Sequence, residues 1–196
     1  MLQKLIFSII FVLTIWSSAL GQTEFGNNST TASLQYTSTT EAWAMINSDY
    51  VFTAPSNGTV TELGAYMKSY KGGDFTAEIG IYIYSGGEPT TLVGSTTLTG
   101  NGGAATMYNA TGLSISLTSG TVYCIAVGEL TNGARLHANS DDAGSVSRQR
   151  SSATLGSTWD EFTTYANILC AYGSFTAGGA AATQSPRRRK YLQGDR

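Results

Sequence analysis

Histidine and cysteine are scarce in this 196-residue sequence, which holds one histidine, His137, and two cysteines, Cys124 and Cys170. One histidine cannot build a His-rich metal cluster, and it gives a Ser–His arrangement at most one base. His137 lies in the polar run Arg135-Leu136-His137-Ala138-Asn139, no serine stands in a G-x-S-x-G elbow, and neither a P-loop nor an H-E-x-x-H motif is present. Charge is also sparse, at 12% of residues. The adjacent acid pairs are Asp141-Asp142 and Asp160-Glu161. Neighbours on a strand point to opposite faces, so neither pair makes a converging acid and nucleophile for glycoside hydrolysis. The sequence therefore reads as non-catalytic, with a hydrolase built from carboxylates on separate strands as the remaining catalytic alternative.

Long apolar runs are missing too, except for Leu5–Trp16, which follows Lys4 and precedes the small residues Ser17-Ser18-Ala19-Leu20-Gly21. That order matches a secretory signal peptide over residues 1–21, cut before Gln22. About a dozen apolar residues fall short of the roughly 20 that span a bilayer, so the reading is a secreted, extracellular protein with no transmembrane anchor. Residues 22–183 hold five basic side chains (Lys68, Lys71, Arg135, Arg148, Arg150) against twelve acids. An acidic body of that kind argues against nucleic acid as a partner, since phosphate contacts need a basic face. Residues 177–196 pass from a Gly/Ala-rich linker to Arg187-Arg188-Arg189-Lys190 and read as a flexible basic tail. The span 22–176 is left as one domain.

In place of helical periodicity the chain offers alternation. Within Thr76–Tyr84, Ala77, Ile79, Ile81 and Ile83 alternate with Thr76, Glu78, Gly80, Tyr82 and Tyr84, the mark of a strand with one face on a core. Leu113, Ile115 and Leu117 alternate with serines in the same way. Thr121–Leu130 is apolar on both faces and predicts a central strand, and Asn167–Phe175 predicts a closing one. Strands are also expected over Ser33–Thr39, Ala42–Thr53, Thr59–Lys68 and Leu92–Thr99. Turn signals such as Asn57-Gly58, Gly72-Gly73 and Gly86-Gly87 separate them. The expectation is an all-β, two-sheet antiparallel sandwich of about eight strands. Ala134–Ser157, polar and weakly patterned, reads as a long functional loop.

The run Tyr50–Leu63, containing Phe52-Thr53-Ala54-Pro55 and Asn57-Gly58-Thr59-Val60, resembles the opening strand–turn–strand of a recurrent extracellular jelly-roll module. Gly80–Leu92, containing Tyr84-Ser85-Gly86-Gly87-Glu88-Pro89, and Leu117-Thr118-Ser119-Gly120-Thr121-Val122-Tyr123 resemble two later segments of the same module. Such modules occur in bacterial surface proteins of the choice-of-anchor type and in phage tail or fibre proteins, and they are similar to carbohydrate-binding modules. The resemblance implies a jelly roll with contact functions such as adhesion. Here the linker and basic cluster lack the apolar helix that usually stands between them.

The candidate contact residues follow from chemistry. Tyr82 and Tyr84 lie opposite the isoleucine stripe; a solvated face there would give sugars an aromatic platform, whereas a second layer would bury them. Trp159 beside Asp160 pairs a flat apolar surface with an acceptor, or else caps the sandwich end. Asn139, Asp141 and Asp142 crowd oxygens into a glycine-containing loop suited to a ligand or to calcium. Cys124 and Cys170 sit in apolar runs, either bridged or as buried thiols. The functional expectation is a lectin-like module that binds a polysaccharide or cell-surface glycan. The alternative is a self-associating structural subunit of an extracellular or virion assembly.

Overall fold

The computed structural model describes residues 21–31, 34–36, 41–46, 49–128, 130–140, 147–150, 154–159, 163–165 and 167–178. Residues 1–20 of the expected signal peptide and all but residues 177 and 178 of the expected basic tail lie outside these residues. In chain order the strands are β1 (Gln22–Gly26), β2 (Leu34–Tyr36), β3 (Ala42–Met45), β4 (Phe52–Thr53), β5 (Gly58–Ser69), β6 (Asp74–Ser85) and β7 (Glu88–Asn101). They continue with β8 (Thr106–Leu117), β9 (Val122–Gly128), β10 (Ala134–Ser140), β11 (Ser147–Arg150), β12 (Thr163–Tyr165), β13 (Asn167–Leu169) and β14 (Ala171–Ala177).

Two antiparallel sheets pack face to face. One runs β12-β11-β3-β9-β6-β7, with β4 sharing an edge of β9 with β3. The other centres on β5, which pairs with β8 along one edge and with β14 and then β10 along the other. Strand segments outnumber the eight expected because long runs are interrupted: Cys170 alone separates β13 from β14.

The alternation in β6 sorts its side chains as expected. Ala77, Ile79 and Ile81 are fully buried in the core between the sheets, with Val60, Leu63 and Met67 from β5 and Ile125 and Val127 from β9. Burying an isoleucine of this kind stabilises the fold by about 1.5–3 kcal/mol before entropy is counted. Central β9 is flanked on both edges, as its two-faced apolar run requires.

Two sequence expectations need correction. Ala134–Ser157 is not one long loop, because it contains β10 and β11. The inward residues Ala134, Leu136 and Ala138 of β10 are small or isolated, so pairing with β5, β2 and β13 fixes the strand more than its own apolar pattern does. The domain also extends past residue 176: β14 continues to Ala177, and the Gly178 amide donates to the Asn57 carbonyl at 2.7 Å.

Candidate functional site

Three connections meet at one end of the sandwich: Tyr70–Gly73 between β5 and β6, Gly102–Ala105 between β7 and β8, and Thr131–Gly133 between β9 and β10. The antiparallel order makes this unavoidable, since β5, β7 and β9 all finish where β6, β8 and β10 begin. Backbone geometry locks the turns together. Asn132 has φ 48°, and its side-chain amide donates to the Asp74 carbonyl at 2.9 Å. Asparagine tolerates this left-handed conformation better than most residues. The Thr76 amide donates to Thr131 Oγ1 at 2.8 Å, the Gly102 amide to the Gly73 carbonyl at 2.8 Å, and the Tyr70 amide to the Gly133 carbonyl at 2.9 Å.

The turns surround an open cleft of about 520 Å³. Its apolar wall is the half-buried Tyr108 ring, which packs edge to face on the buried core residue Phe75 with centroids 5.0 Å apart and planes at 82°. Gly100, opposite Phe75 in the β6–β7 register, makes that wall possible. A Cβ at Gly100 would sit 2.4 Å from the Phe75 ring and 2.6 Å from the Tyr108 ring. The Tyr108 hydroxyl donates to the Asn101 carbonyl at 3.1 Å, which holds the ring against the cleft. The remaining lining is oxygen- and amide-rich, from Asp74, Thr76, Thr99, Asn101 and Asn132. On the adjoining rim, Tyr70 is 67% exposed and the Arg135 guanidinium carbon stands 3.8 Å from its ring centroid.

This composition suits reversible binding of a hydroxyl-rich molecule, with an aromatic edge for apolar C–H faces and fixed donors and acceptors for hydroxyls. Among the lining residues Asp74 is the one carboxylic acid. A glycosidase needs two carboxyl groups flanking the bond, so the cleft lining does not contain that pair.

The aromatics singled out in the sequence are elsewhere and are covered, so the expected solvated platform does not form. Tyr82 is fully buried and Trp159 is 6% exposed, packed edge to face at 5.2 Å. They belong to a second apolar cluster on the outer face of the β6–β9 sheet, with Ala42, Ile46, Cys124 and Leu155, and half-buried Tyr84 packs against it. The segment 154–159 forms the lid of this cluster. The Tyr82 hydroxyl donates to the Gly156 carbonyl at 2.7 Å. The Leu155 amide donates to Glu78 at 3.1 Å, and the Trp159 amide to the Thr90 carbonyl at 3.3 Å. Asp160, Asp141 and Asp142 lie outside the described residues, and Asn139 is placed on β10. Among the described residues no group of three or more His, Cys, Asp or Glu side chains could hold a metal.

Of the two readings of the cysteines, the structure shows buried thiols: Cys124 and Cys170 are not joined in a disulfide. Cys124 lies in the outer cluster of one sheet, while Cys170 accepts a contact from Asn27 Nδ2 at 3.6 Å beside the other. Packed sheets stand about 10 Å apart, beyond the roughly 7 Å Cα separation a disulfide spans. Burial pushes the Cys124 thiol far above its usual range, which keeps it protonated. His137, expected in a loop, is a buried residue of β10 whose ring meets Tyr66 at 4.9 Å.

The cleft itself was not anticipated. Asp74, Asn101 and Asn132 each stand beside a glycine in a turn or at the strand end next to one, and no sequence signal singled them out. What could have singled them out is that three such turns fall at strand ends of the same polarity.

No helix among the described residues is long and apolar enough to cross a membrane. No protein-family profile and no curated protein matches the sequence. A solved structure similar to this chain is that of the clostridial cysteine protease Cwp84 after propeptide cleavage, with a TM-score of 0.53 and 14% identity. The match covers 80% of this chain and 40% of that one, so the chain spans well under half of that protein. The likeness is one of fold, an all-β two-sheet sandwich.

Proposed function

We propose that the chain is a secreted, non-catalytic glycan-binding module whose site is the end cleft between the β5–β6, β7–β8 and β9–β10 turns. One observation carries the reading: an open cleft of about 520 Å³ that sets the half-buried Tyr108 ring, backed by the buried Phe75, against Asp74, Asn101 and Asn132. An aromatic contact worth about 1 kcal/mol beyond area burial, with a few hydrogen bonds of about 1 kcal/mol each, leaves weak single-site binding after association costs, nearer millimolar than nanomolar. Display of many copies makes such affinity useful. Affinity electrophoresis through polysaccharide gels tests it. The wild-type chain should be retarded, and Asp74→Asn combined with Asn101→Ala should migrate freely at unchanged melting temperature. Equal mobility of the two proteins in every gel that retards wild type rules the cleft out.

A second reading has its own observation. Among the described residues, the twelve-residue strand β8 pairs only with β5. A long open edge can receive a strand from another chain, which would make the protein an assembly subunit. Concentration-dependent oligomers in sedimentation velocity, abolished by Ala110→Pro on β8, would favour this reading.

A further inference from the structure

The cleft's rim carries a charge opposite to that of the body. Of the five basic side chains in residues 22–183, Lys68, Lys71 and Arg135 gather at this end. Lys68 and Arg135 are direct register partners across β5 and β10, so their side chains share one face of the sheet. Tyr70, two residues beyond Lys68, continues that face and carries Arg135 on its ring at 3.8 Å. Lys71 lies against the neighbouring turn, its Cγ 3.0 Å from where a Gly133 Cβ would stand. None of the three cations lines the cleft itself. Among the described residues of the three turns and the strand ends beside them (68–76, 99–106 and 130–135) Asp74 is the one acid against these three cations, a formal +2, while residues 22–183 as a whole are formally −7.

Resting on the glycan-binding reading above, we infer that the ligand is an anionic polysaccharide whose carboxylates meet Lys68, Lys71 and Arg135 while a sugar ring lies on Tyr70. Charge complementarity selects this occupant. An acidic body repels a polyanion everywhere except at this end, which fixes where and how the chain docks. Stacking on Tyr70 holds the guanidinium plane in place, and a planar guanidinium suits recognition of a planar carboxylate. Tyr70, at 67% exposure, offers the open aromatic surface that a sugar needs. Three cations on a strongly acidic domain do not make the broad basic face that nucleic acid requires.

The experiment compares binding of the full chain to polygalacturonate, to uncharged galactan and to single-stranded poly(dT), by calorimetry across a salt series. Residues 187–190 are basic too, so a variant with those four changed to Gln runs beside Lys68→Gln/Lys71→Gln and the triple variant adding Arg135→Gln. Polygalacturonate should bind at least tenfold more tightly than galactan, and the tail variant should retain that preference. The double variant should lose several-fold affinity, the triple variant roughly tenfold or more, and both should show a shallower salt dependence. The double variant leaves the Arg135–Tyr70 stack intact, so it stays informative if the triple variant folds poorly. Loss of the preference in the tail variant alone, or equal or tighter binding of poly(dT), overturns the inference. Equal binding of galactan and polygalacturonate, both abolished by Asp74→Asn/Asn101→Ala, overturns it but leaves the glycan-binding reading standing. Binding of neither polysaccharide ends both.

Discussion

Replacing Trp159 by Ala separates a structural role from a ligand-binding one. Trp159 is 6% exposed, and its ring packs edge to face on Tyr82 at 5.2 Å over the outer face of a sheet. Truncating a buried tryptophan costs about 3–5 kcal/mol. The lower end applies here because the cluster is a satellite of the main core and Trp159 Nε1 is a buried donor with no hydrogen-bond partner to lose. A loss of about 3 kcal/mol lowers the melting temperature of a domain this size by roughly 6–12 °C. Trp159→Phe keeps a ring against Tyr82 and should cost only about 1 kcal/mol, within the range of a partly conservative core change. Circular dichroism melts measure both variants, and polysaccharide retention at 15 °C measures function while each stays folded. The reasoning fails if Trp159→Ala melts within about 2 °C of wild type yet loses retention, because Trp159 would then be a contact residue and not a lid.

Other consequences follow from the same contacts. Gly100→Ala places a methyl group 2.4 Å from the Phe75 ring; overpacking of this kind costs about 1–3 kcal/mol, and displacing the cleft wall should weaken glycan retention, both checked by a melt and an affinity gel. Alkaline pH should destabilise the fold. Burial raises the Cys124 pKa, and burial followed by the Glu62 hydrogen bond and charge raises that of Tyr172. The unfolded chain releases these protons near pH 8.5 and 10 while the folded chain keeps them, so stability is full below about pH 8.5 and declines above it. Melting temperature measured from pH 7 to 10.5 should fall, and Cys124→Ala should remove the portion that sets in first. The native thiols should resist labelling by Ellman's reagent at pH 8 and react fully in denaturant; prompt reaction of either thiol contradicts its burial.

Sequence disclosed the architecture where hydrophobic period and turn chemistry agreed. The isoleucines of β6 declared their face, and the two-faced apolar run of β9 declared a central strand. It failed where pairing, not pattern, makes the strand. β10 offers the core only Ala134, Leu136 and Ala138 among polar neighbours, and its identity comes from ladders to residues 27 or more positions away. The site was misplaced for a related reason. Alternation shows that Tyr82 and Tyr84 point away from the main core, but not whether another layer covers them. The Gly156 carbonyl and the Trp159 ring supply that layer, and neither is local to β6. The cleft was hidden because its residues converge from three turns through strand polarity, a property of topology. The basic rim shows the same limit: Lys68 and Arg135 are neighbours only once β5 and β10 pair.

The most direct measurement is backbone-amide NMR of the labelled chain titrated with galacturonate oligomers. Binding at the end cleft predicts saturable shifts confined to residues 68–76, 99–103 and 131–135, with Tyr70 and Asn132 among the largest. Shifts centred on Trp159 and Tyr84, or no saturable shifts at millimolar oligomer, would contradict it.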